Sequence, residues 1–85
     1  MKKYRDKIDL IDDKMLDLFI ERMNTVKKIK EYKKLHNLEI LDKKREDELK
    51  KDKLSKIKNK NTDYYDYYKQ FIETILKVSK DFQAK

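Results

Sequence analysis

The sequence predicts an all-α chain of three helices, the first of them long. Glycine and proline are both absent from the 85 residues, so the residues that most readily interrupt helices are missing. Apolar residues recur at steps of three and four, the spacing that lines one face of a helix. Charged residues, at 48%, outnumber the 38% that are hydrophobic, a balance typical of disordered chains. Here the Ile, Leu, Phe and Tyr residues are periodic, which points to a folded chain instead. Residues 1–85 read as a single domain, with no internal repeat.

In the first segment Tyr4, Ile8, Ile11, Met15, Leu18, Val26 and Ile29 share one face. The pattern predicts a helix from about residue 3 to about residue 35. The stretch Lys34-Leu35-His36-Asn37 is the expected break, with Asn37 as a C-terminal cap residue. A second helix is expected from about Glu39 to Lys58, and a third from about Thr62 to Phe82. The polar run from Lys58 to Asp63 separates them, and Asn61 or Thr62 is placed to cap the third.

A first helix of thirty-odd residues is roughly 45–50 Å long at 1.5 Å per residue. A compact chain of this size has a radius of gyration near 12 Å, so it is only about 30 Å across. The helix overshoots its own domain, and one small core stabilises little by itself. Both arguments predict a homodimer in which the long helices pack together. The competing expectation is a kink or fraying near Asn24-Thr25.

Composition excludes several kinds of chemistry. Without glycine there is no Gly-rich phosphate loop. Without cysteine there is no disulfide, zinc ribbon or thiol nucleophile. The single histidine, His36, has no second ring to share a metal, and it reads most simply as an exposed residue near a helix end. No cofactor and no metal are expected. No apolar run reaches the length of a membrane span, and acidic residues interrupt the segment behind the basic N-terminus. A cytoplasmic protein without membrane contact is therefore expected.

Charges fall on the stripes meant for packing. Arg22 lies four residues after Leu18, and Lys33 four after Ile29. Arg5 flanks the same stripe near its start. In the second helix Asp42, Arg45, Glu46 and Leu49 share a face. In the third Tyr68, Ile72, Ile75, Ser79 and Phe82 do, with Gln83 one turn beyond Ser79. For any one residue, snorkelling from the edge of a stripe or an ordinary surface pair such as Asp42 with Arg45 is sufficient. Across three helices the coincidence points to a cationic pocket inside a bundle. Such a pocket suits a small dianion bearing a hydroxyl, because arginine forks match carboxylates.

The ordered set Arg5, Arg22, Lys33, Asp42-Lys43-Lys44-Arg45-Glu46 and Ser79-Lys80-Asp81-Phe82-Gln83 resembles the all-helical, AroQ-class chorismate mutases. The opening run from Tyr4 to Asp12, followed by Leu18-Phe19-Ile20-Glu21-Arg22, is similar to that family's N-terminal signature. The resemblance covers nearly the whole chain. It implies the chorismate mutase type II fold, an intertwined homodimer of three-helix chains. It also implies the Claisen rearrangement of chorismate to prephenate, on the shikimate route to phenylalanine and tyrosine. By resemblance Arg22 grips one carboxylate, and Arg5 of the partner subunit reaches the other. Lys33 and Gln83 bond the ether oxygen, and Glu46 with Asp42 holds the ring hydroxyl. Arg45 lines the site and Ser79 assists a carboxylate. Relatives often carry proline where Glu39 stands and an apolar residue where Lys80 stands, and the interval from Glu46 to Ser79 is slightly short. The resemblance implies a free-standing mutase without an appended regulatory domain.

The residues suit that reaction. A unimolecular rearrangement needs a restrained conformer and fixed positive charge at the ether oxygen, not a nucleophile or a metal. Gln83 is neutral at any ordinary pH, which predicts a broad pH profile. Two alternatives differ from this reading. One is an isochorismate-pyruvate lyase of the same fold. The other is a non-catalytic basic helical module binding nucleic acid. The net charge of +7, the lysines from Lys50 to Lys60, and the tyrosines Tyr64, Tyr65, Tyr67 and Tyr68 would serve that module. Interspersed acids break any continuous basic stripe, and no nucleic-acid partner is expected.

Overall fold

A computed structural model describes all of residues 1–85. It contains three α-helices and no strands: α1 (Lys2–Leu35), α2 (Lys43–Lys60) and α3 (Tyr65–Ala84), with a short 3-10 turn over Thr62–Tyr64. The helix α1 runs unbroken through Asn24 and Thr25. The Thr25 hydroxyl donates to the Glu21 carbonyl at 3.0 Å, so its polar group is satisfied inside the helix.

The end of α1 is a tight reversal. Asn37 is the only non-glycine residue with positive φ, at 54°, a region Asn tolerates better than most residues. The Leu38 amide donates to the Lys33 carbonyl at 2.8 Å and the Asn37 amide to the Lys34 carbonyl at 3.4 Å. These two bonds satisfy carbonyls that the helix end would leave open. The expected cap at Asn37 is thus present, two residues beyond the last helical residue, with His36 between.

The second helix starts later than expected, at Lys43 rather than about Glu39. The Asp42 side chain accepts from the Arg45 amide at 3.0 Å and so fixes the N-terminus there. Residues 39–41 are left as an irregular link. The third element also differs at its start. The Asn61 side chain accepts from the Asp63 amide at 2.9 Å and opens the 3-10 turn, from which α3 continues.

The fold is elongated. Its longest dimension is 51 Å and its radius of gyration 15.6 Å, against about 12 Å for a compact chain of this length. The helix α3 packs against both α1 and α2, while α1 and α2 do not approach each other closely. Only Val26, Ile72 and Ser79 are buried. Every residue of α1 before Arg22 is exposed, including the whole stripe from Tyr4 to Leu18. No helix is long and apolar enough to cross a membrane.

Candidate active site

The gap between α1 and α2, floored by α3, forms a cavity of about 270 Å³. Its walls take Arg22, Val26, Ile29 and Lys33 from α1, and Asp42, Arg45, Glu46 and Leu49 from the start of α2. Ile40 of the link and Leu76, Lys80 and Gln83 of α3 complete it. The four second-helix residues expected to share a face do so here. Helical spacing alone brings them to one wall.

Arg22 and Ser79 meet across the α1–α3 crossing, where the Arg22 Nη1 donates to the Ser79 Oγ. The Ser79 hydroxyl in turn donates to the Ile75 carbonyl at 2.9 Å. Partial burial lowers the pKa of Arg22 from its ordinary value, but a guanidinium stays protonated in proteins. No carboxylate lies within ion-pairing distance of Arg22. It is a half-buried cation held by a neutral hydroxyl, with hydrogen-bonding capacity left for an anion.

Lys33 closes the other end. Its Nζ donates to the Gln83 Oε1 at 3.0 Å and to the Ile40 carbonyl at 2.7 Å. The Gln83 Nε2 donates back to the Ser79 carbonyl at 3.3 Å. Lys30 adds a fastening outside the cavity, its Nζ standing 5.4 Å from the centre of the Phe82 ring. The α1–α3 crossing is therefore tied at Arg22, Lys30 and Lys33 to Ser79, Phe82 and Gln83.

Asp42 lines the cavity with one carboxylate oxygen committed to the α2 cap. Glu46 is half-buried and makes no ion pair, nor does Arg45. The expected surface pairing of Asp42 with Arg45 is absent as an ion pair; Asp42 takes the Arg45 amide instead. The ion pairs present lie outside the cavity, as in Lys77 with Asp81 at 2.8 Å and Lys56 with Asp52 at 3.0 Å.

Of the residues singled out from sequence, Arg22, Lys33, Asp42, Arg45, Glu46 and Gln83 line one cavity, and Ser79 bonds to Arg22 beside it. Arg5 does not join them; it stands exposed on the N-terminal half of α1. Two features escaped sequence reasoning. The Ile40 carbonyl that orients Lys33 is backbone and leaves no mark in residue types. The presence of Lys80 on the wall had a signal, a lysine where an apolar neighbour was expected. No cluster of three metal-ligating side chains is present.

Three helices enclosing a mixed-charge cavity with surplus cations define a binder of small, multiply charged anions. The sequence model of the family described as chorismate mutase type II matches residues 4–84. The chain belongs to that family, and with it goes the enzyme activity, the isomerisation of chorismate to prephenate. The match favours neither the isochorismate lyase nor the nucleic-acid module. No curated protein and no solved structure matches the chain.

Proposed function

We propose that the cavity holds chorismate as a dianion in its compact reactive conformer and stabilises the charge that develops on the ether oxygen. In this rearrangement one C–C bond forms as one C–O bond breaks within a single molecule. No proton moves and no group leaves. The residues therefore have two tasks, restraint and electrostatic stabilisation. Arg22, steadied by Ser79, takes one carboxylate. Lys33 and Gln83 face the ether oxygen. Glu46, with Asp42, accepts from the ring hydroxyl, and Arg45 closes the wall.

The observation that carries this reading is the 3.0 Å bond from Lys33 Nζ to Gln83 Oε1, which brings polar groups of two helices to one point of the cavity. Gln83 presents its oxygen to Lys33. Its Nε2 gives one hydrogen to the Ser79 carbonyl at 3.3 Å and keeps a second for the ether. The leftover cationic capacity of Arg22 supports the same assignment.

The second carboxylate falls to Arg5 of a second copy of the chain. The support is the uncovered stripe of α1, which continues the spacing of the covered half and ends near Arg5. A homodimer seats that stripe. On this proposal each site is shared between two chains, and the product feeds phenylalanine and tyrosine synthesis.

The test is to mix the purified protein with chorismate, follow its ultraviolet absorbance and identify the product, with a Lys33→Ala variant alongside. Prephenate from the parent is expected, with kcat lower by about 100- to 1,000-fold in the variant. A folded, dimeric parent that makes none would end this reading.

A further inference from the structure

Lys80 stands on the cavity wall, and the roles assigned above leave it without a task. It follows Ser79 on α3, and its side chain is exposed toward the cavity. The neighbouring lysine of the same helix, Lys77, is engaged by Asp81 at 2.8 Å. Lys80 lies within ion-pairing distance of no carboxylate. It also accounts for the charge of the wall. The lining holds four cations, Arg22, Lys33, Arg45 and Lys80, and two carboxylates, Asp42 and Glu46. The difference is two positive charges, one of them owed to Lys80, and Arg5 of a second copy would add a third.

We propose that Lys80 is a specificity-determining residue that makes ionic contact with a substrate carboxylate from the α3 side. The proposal rests on the chorismate reading of the same cavity. A lysine suits the task because its ammonium is a compact charge on a flexible stem and can follow the anion. The contact forms in both the bound substrate and the transition state, because both carboxylates keep their charge through the rearrangement. Its loss therefore falls on KM and spares kcat.

The experiment measures kcat and KM for chorismate in the parent, Lys80→Met, Lys80→Gln, Lys80→Arg and Lys77→Met, with thermal melting of each. Lys80→Met and Lys80→Gln are expected to raise KM about tenfold, as for loss of one exposed charge-assisted hydrogen bond. Lys80→Arg should restore KM to within about threefold, since it keeps the charge. Lys77→Met removes one positive charge outside the cavity and should match the parent, which separates local contact from general attraction of anions. The exposure of Lys80 predicts unchanged melting. KM values for Lys80→Met and Lys80→Gln equal to that of Lys77→Met would overturn the proposal, as would a loss confined to kcat. A parent that forms prephenate while those variants keep its KM refutes this proposal alone. A parent that forms none takes the chorismate reading down with it.

Discussion

Residues 2–21 of α1 and residues 22–35 follow one apolar pattern, yet residues shielded within the chain fall only in the second stretch. Ile8 is 54% exposed, whereas Val26, at an equivalent place on the stripe, is 6% exposed. The covered half carries Arg22 and Lys33 and is fastened to α3. The uncovered half carries Arg5, and every one of its residues is exposed. Uncovered apolar surface on this scale marks an interaction site. The contrast separates the part of α1 that builds the cavity from the part that leaves its stripe uncovered. On the dimer proposed above, the second copy that covers the first half of α1 brings its own Arg5.

The contrast is most severely tested by Ile11→Asp. A charge on the uncovered stripe should abolish association and, with it, nearly all activity. Sedimentation should show a monomer, and the rise of the parent's Tm with protein concentration should vanish. A fully active monomeric Ile11→Asp would dissolve the argument. Next in size is a mixing test. Arg5→Ala and Lys33→Ala are each expected to be nearly inactive alone. If each site draws on two chains, equal mixing after unfolding and refolding gives half hybrid dimers, each with one intact site. Activity should then recover to about a quarter of the parent's. No recovery would confine each site to one chain.

The covered half is probed by Gln83→Glu. A carboxylate beside Lys33 must be protonated before it can donate, so its activity should rise as pH falls, where the parent's profile stays broad. A variant as flat as the parent would remove Gln83 from the ether oxygen. The smallest effect belongs to Asp42, which caps α2. Asp42→Ala should cost about 0.5–2 kcal/mol of stability, while Asp42→Asn keeps most of the cap. Equal melting of the two variants would show that the cap contributes little.

Much of this architecture was legible in the residues. The spacing of Tyr4 through Ile29 predicted α1 to within a residue or two. The shared face of Asp42, Arg45, Glu46 and Leu49 became a cavity wall, because a helix converts spacing directly into direction. Ser79 and Gln83, one turn apart, met Arg22 and Lys33 for the same reason. The start of α2 was not legible. Nothing in Glu39-Ile40-Leu41 opposes a helix by composition. The reversal at Asn37 and the cap at Asp42 fix the boundary together, and their joint effect depends on backbone geometry. The 3-10 entry to α3 was missed likewise, since an Asn61 cap serves either kind of helix. The position of Arg5 lay beyond one chain's pattern, because helical spacing gives its face but not what meets that face.

Lys33 shows what such fastening does to a single group. An ammonium is a three-spoked rotor with three hydrogens to give. One spoke is held by the Ile40 carbonyl and one by the Gln83 amide. The third then has a fixed bearing before any ligand arrives. The loss of rotational freedom is settled during folding, so little of it remains to be met at each turnover. A link that lacks regular structure thus acts as a brake on the group that matters most, and loosening the link near Ile40 would blunt Lys33 without touching it.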